Sequence, residues 1–186
     1  TITNYGTMSL GSGLTVNTGA VTNEGTMSVG GSLGLNTASL TNSAQLSVSG
    51  SLTVNSGSSL TNSCSVAVGT TLELNDTATN NGVIRAATFT RNSGTYTQGS
   101  SSLTAGTTFT NHGTINGAGQ YHFTGHTTNT GSINGTAGTI YFYDTSQTGD
   151  QILDDPGSLT NVVREEVNLP ADGACEALPL GGPTET

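Results

Sequence analysis

Few side chains in this 186-residue chain could do chemistry, and most of those stand far apart. Three histidines, His112, His122 and His126, fall in one short stretch and could ligate a metal or move protons. Cleaving a sugar chain would need two carboxylates, or a carboxylate beside a base, held roughly 5–10 Å apart. Residues 1–142 hold only Glu24, Glu73 and Asp76, too scattered to pair, and no acidic ligand or nucleophile keeps step with the histidines. Solvated histidines and no enzyme are therefore expected. Asp144, Asp150, Asp154 and Asp155 could gather round a calcium ion. Their spacing matches no calcium-loop pattern, so a solvated acidic loop and no cofactor are the expectation.

Whatever positions these groups must follow a phrase that returns about every nineteen residues. An apolar-Thr-Asn triplet, a corner of small residues and an apolar-Ser-apolar segment read Ile2-Thr3-Asn4 … Met8-Ser9-Leu10, then Val21-Thr22-Asn23 … Met27-Ser28-Val29. Leu40-Thr41-Asn42 … Leu46-Ser47-Val48 and Leu60-Thr61-Asn62 … Val66-Ala67-Val68 repeat it. Three apolar markers recur in each unit. The first runs Ile2, Val21, Leu40, Leu60, Ala78, Tyr96, Ile115, Ile133. The second runs Met8, Met27, Leu46, Val66, Ile84, Leu103, Tyr121, Ile140, and the third Leu14, Leu33, Leu52, Leu72, Phe89, Phe109, Thr127. Each unit thus contains three short alternating segments separated by Gly, Ser, Asn or Thr, the pattern of strands.

Helix is excluded by the abundance of Thr, Ser, Asn and Gly and by the absence of a 3.6-residue apolar stripe. Propeller blades need about forty residues each. The expectation is an all-β parallel β-solenoid of about eight coils, each 18–20 residues with three short strands, over residues 1–142. Residues 143–186 break the period and hold all four prolines, and they read as a C-terminal cap folding over or back along the rod.

Strand alternation assigns the two sides of each segment. Asn4, Asn23, Asn42, Asn62 and Asn80, then Gln98, recur at one corner, and Asn17, Asn36, Asn55 and Asn75 at another, where stacked amides can bond coil to coil. Outside, the residues flanking the first marker make two columns, Thr1/Thr3, Ala20/Thr22, Ser39/Thr41, Ser59/Thr61, Thr77/Thr79, Thr95/Thr97, Thr114/Asn116 and Ser132/Asn134. The grid would measure about 7 Å by about 4.8 Å. The second segment presents Ser9, Ser28, Ser47, Ala67, Arg85, Thr104, His122 and Tyr141.

Charge separates the two regions. Residues 1–142 set three acids against Arg85 and Arg91, a net of −1, whereas 143–186 set nine acids against Arg164, a net of −8. No basic patch suits nucleic acid, and no apolar run suits insertion into a membrane. The chain opens in mid-coil at Thr1, so a processed or excised segment is expected, and open coils could let copies stack end to end. Cys64 occupies the corner slot of Gly6, Gly25, Ala44 and Gly82; a tail returning some four coils, roughly 19 Å, could bring Cys175 to it. A disulfide pinning the tail to the rod in an oxidising setting is the preferred reading, against two free thiols or a bond between chains.

Phrases such as Gly50-Ser51-Leu52-Thr53-Val54-Asn55 and Leu60-Thr61-Asn62 resemble β-solenoid surface adhesins of the filamentous-haemagglutinin and autotransporter kind, over residues 1–142. That resemblance implies an extracellular rod used for adhesion or as fibre material, with other surface molecules, carbohydrate or copies of itself as partners. The Thr-x-Thr columns, with Thr3, Thr22, Thr41, Thr61, Thr79 and Thr97 as candidate contact residues, resemble the flat faces of solenoid ice-binding proteins. Ala20, Ser39, Ser59 and Ser132 depart from that pattern, and an exposed strand also favours β-branched Thr for its own sake.

Overall fold

The computed structural model describes residues 1–144, 152–154 and 157–165. These residues form strands and turns without a helix, so none of them builds a helix long and apolar enough to cross a membrane. All strand pairs are parallel and join segments about one repeat apart: Ile2 pairs with Val21, Val21 with Leu40, and Leu40 with Leu60. The protein is a parallel β-solenoid.

One sheet of nine strands, from Ile2–Asn4 to Ser158–Thr160, makes the first face. A sheet of thirteen strands supplies the other two. Its second-face strands run from Thr7–Leu10 to Val162–Glu165; its third face includes Leu14–Val16, Leu33–Leu35, Leu52–Val54 and Thr127–Asn129. Corner composition decides where strands break. Gly11-Ser12-Gly13, Gly30-Gly31-Ser32 and Ser49-Gly50-Ser51 separate second-face from third-face strands in the early coils. Glycine weakens a strand and β-branched Thr favours one, and Thr prevails over the lone Gly69 and Gly106 at two of the later corners. With Thr70-Thr71, Ala87-Thr88 and Thr107-Thr108 in that corner, Ser65–Leu74, Val83–Arg91 and Leu103–Asn111 run through as single long strands. A register shift between Val68 and Thr71 absorbs the bend.

Inward columns pile into one core that is aliphatic early (Leu33, Leu35, Leu52, Val54, Leu72) and aromatic later (Phe89, Tyr96, Phe109, Tyr121, Phe123, Phe142). Phe89 stacks on Phe109 at 5.3 Å and Tyr121 on Phe142 at 5.6 Å, while Phe109 meets Phe142 edge-on at 4.9 Å. Large rings fill the interior of these later coils. Of the segment expected as a cap, the described part adds another rung: Ser158–Thr160 pairs with Ser132–Asn134, and Val162–Glu165 with Ile140–Asp144. Ile152 and Leu153 are buried in the same core.

The second marker needs correction at two rungs. Ile84 pairs with Thr104, not Leu103, and Tyr121 pairs with Phe142, not Ile140. The inward slot at 104 is polar and satisfied: Thr104 Oγ1 lies 2.6 Å from the Tyr96 hydroxyl and 2.6 Å from Gln98 Oε1. Leu103 takes the opposite side and clusters with Val83 and Ala105. The outward column of this face therefore reads Ser9, Ser28, Ser47, Ala67, Arg85, Ala105, His122, Tyr143, with Ala105 and Tyr143 replacing the expected Thr104 and Tyr141.

Candidate functional site

The first face is the most regular surface. Thr3, Thr22, Thr41, Thr61, Thr79 and Thr97 are backbone partners rung to rung, and the column continues as Asn116, Asn134 and Thr160. Beside it stand Ala20, Ser39, Ser59 and Thr77 in register, then Thr95, Thr114, Ser132 and Ser158. The Thr side chains are exposed or half-buried, anchored by the buried residues between them (Val21, Leu40, Leu60, Ala78, Tyr96).

A ladder of amides beneath the adjoining corner holds that face level. Asn4 Nδ2 donates to Asn23 Oδ1 at 2.8 Å, Asn23 to Asn42 at 2.8 Å, Asn42 to Asn62 at 2.8 Å and Asn62 to Asn80 at 2.9 Å. Each of these side chains is buried, and most also cap a carbonyl at the bend, as Asn23 does with Gln45 O at 2.8 Å. Gln98 continues the series with longer reach, donating to Gln120 O at 2.7 Å. The second Asn corner is more open, with Asn36 donating to Asn17 at 3.0 Å and Asn55 to Asn36 at 2.6 Å.

A hydroxyl column also lies on the third face, where Thr53, Glu73, Thr90, Thr110 and Thr128 are in register and Thr108 Oγ1 donates to Thr88 Oγ1 at 3.1 Å. The signal was present in the Thr residues flanking Phe89 and Phe109.

The histidines lie at different places around the coil. His112 Nδ1 is 2.6 Å from Thr130 Oγ1, and His126 Nε2 is 3.0 Å from Thr128 Oγ1 with Nδ1 3.7 Å from Asp154 Oδ2. His122 stands in the outward row of the second face. Among the described residues no three His, Cys, Asp or Glu side chains gather closely enough to hold a metal ion. Of the calcium candidates, Asp144 is buried and accepts from Thr127 Oγ1 at 2.9 Å, and Asp154 faces His126; Asp150 and Asp155 lie outside the described residues. Glu24 stands coils away from Glu73 and Asp76, which lie three residues apart at one corner; the backbone N–H of Gly57 at 2.6 Å, with that of Thr77, holds the Asp76 carboxyl below its usual range. Cys64 is disulfide-bonded, and Cys175, the partner expected for it, lies outside the described residues.

Sequence reasoning missed a groove of about 500 Å³ on the second face. Ser47, Ala67, Arg85, Ala105 and His122 run along it, with Gly69, Gly106 and Thr124 at its corner side. Small side chains make the hollow. Burial and the Arg85 charge hold the His122 imidazole below its ordinary pKa, with Asp144 opposing, and its buried Nε2 has no hydrogen-bond partner.

No family model, curated protein or solved structure matches the chain. The class that fold and faces define is a β-solenoid repeat protein with long, regular, weakly charged surfaces.

Proposed function

We propose that this protein is a non-enzymatic extracellular rod with a structural and adhesive role, akin to the surface adhesins its repeat resembles. One observation carries the reading: register is kept across nine first-face strands, so the chain builds long straight faces instead of converging on one reactive cleft. Lateral strand edges are paired within the stack, which suits a rod that must meet partners through its side chains. The disulfide at Cys64 supports an oxidising, extracellular setting. The test is electron microscopy of the full chain with saturable binding to immobilised cell-surface material. Rods, or fibres of stacked rods, that adhere are expected; compact particles, or turnover of a polymer substrate, would sink the reading.

The six Thr in one straight column favour a second reading, ice binding by the first face. Thermal hysteresis and recrystallisation inhibition separate the two. Thr41→Tyr and Thr61→Tyr should abolish any ice activity while adhesion through other faces persists.

A further inference from the structure

The second face differs in chemistry from the two hydroxyl faces. Its outward row Arg85, Ala105, His122, Tyr143 continues to Glu165, and the parallel row Val83, Leu103, Gln120, Tyr141 continues to Val163. Tyr141 and Tyr143 lie two residues apart on one strand, their rings nearly parallel (11°) with centroids 6.3 Å apart. Tyr141 is 38 % exposed, and Val163 beside it 37 %, among the few large apolar side chains so open. The groove from Ser47 to His122 lies in the same row as Tyr143, so hollow and aromatic pair form one strip parallel to the rod axis. Four rung steps make the groove about 19 Å long, and the tyrosines extend it by about 5 Å.

We propose that this strip is a binding platform for an extended, neutral, β-linked polysaccharide, laid along the rod and ending on Tyr141 and Tyr143. A peptide joining as a strand needs an unpaired edge, and strands inside the stack are bonded on both sides. Nucleic acid needs a basic surface, and the chain's net charge is −9. A sugar ring offers a C–H face for an aromatic ring and hydroxyls for scattered polar groups, the mixture that concave ligand sites display. His122 supplies the clearest polar anchor. Its neutral imidazole lines the groove beside the Arg85 guanidinium, and both side chains can bond a sugar hydroxyl. Ser47, Thr124 and Gln120 add further neutral groups along the strip.

The platform rests on the adhesive reading and gives it a ligand class. The experiment is co-sedimentation of the full chain with insoluble cellulose and chitin, followed by titration with soluble cello-oligosaccharides. Binding is expected to weaken at least tenfold in Tyr141→Ala and several-fold in His122→Ala, and to be unchanged in Thr41→Tyr on the first face. Because Tyr141 is open to solvent, its truncation leaves the core intact, which circular dichroism and the melting midpoint verify. Failure of the wild type to bind either polymer would overturn the proposal, as would binding indifferent to Tyr141 and His122. Binding confined to an acidic uronate polymer and abolished by salt would overturn the neutral-ligand assignment. A rod that adheres to protein-coated surfaces yet ignores glycans would sink the platform and leave the adhesive reading standing.

Discussion

Asn42 illustrates how single side chains hold this molecule. Its amide is wholly buried and donates to Asn62 Oδ1 at 2.8 Å, Ala44 O at 2.9 Å and Ser65 O at 2.9 Å, while accepting from Asn23. Truncation leaves several buried groups without partners, each costing about 1–3 kcal/mol, so Asn42→Ala should lower unfolding free energy by about 3 kcal/mol. Asn36→Ala at the open corner loses similar bonds within reach of water and should cost under about 1 kcal/mol. Guanidinium melts of the two variants test the contrast; equal losses would show that burial is not the cause. The pH response follows from His122. Its folded pKa is depressed below the ordinary imidazole value of 6.5 by burial and the Arg85 charge, so the unfolded chain takes up a proton more readily. Its contribution is therefore complete above that value and lost as pH falls through the folded pKa. Melting midpoints recorded from pH 8 to pH 5 should fall less in His122→Gln than in the wild type.

At the scale of strands and corners, the legible parts of the fold were those where apolar side chains face inward. The first and third markers are in register throughout because Val21, Leu40, Leu52 and Phe109 are both the apolar and the buried residues of their segments. Leu103-Thr104-Ala105 was misread because an apolar marker rule cannot see a buried hydroxyl whose partners, Tyr96 and Gln98, lie elsewhere in the chain. The second-face groove was hidden for a related reason: alternating Ser and Ala say that a position is small, not that neighbours leave a hollow. Glycines pose the same difficulty. Gly117 has φ of +117°, and a Cβ there would lie 2.0 Å from Gln98 O, so Gly117→Ala should cost roughly 2–4 kcal/mol. Gly34 sits inside a strand, where a Cβ meets nothing closer than 4.0 Å, and its in-register neighbours are Thr15 and Thr53. Gly34→Thr should raise stability by about 0.5–1 kcal/mol. Thermal melts of both variants check the opposite signs, and a shared sign would refute the geometric distinction.

The whole molecule is quasi-one-dimensional, because each rung bonds only the rung before and the rung after. Damage should therefore stay local, unlike in a globular core where contacts close on themselves. Leu33 packs in the column of Leu14 and Leu52, and its truncation to Ala leaves a cavity worth about 2–5 kcal/mol at that level. The aromatic section around Phe109 shares no partner with it: Phe109 contacts Phe89, Tyr121, Phe123 and Phe142. Native-state hydrogen exchange reads local opening directly. In Leu33→Ala, amides from Met27 to Leu46 should exchange at least about tenfold faster, a cost of 1.4 kcal/mol or more, while those from Phe109 to Phe123 keep their rates. A uniform acceleration along the chain would mean that the rungs open as one unit. The same locality frees the faces to differ: substitutions that carve the groove or set tyrosines on the second face are felt by adjacent rungs only, so a regular scaffold can carry a chemically distinct strip without losing its register.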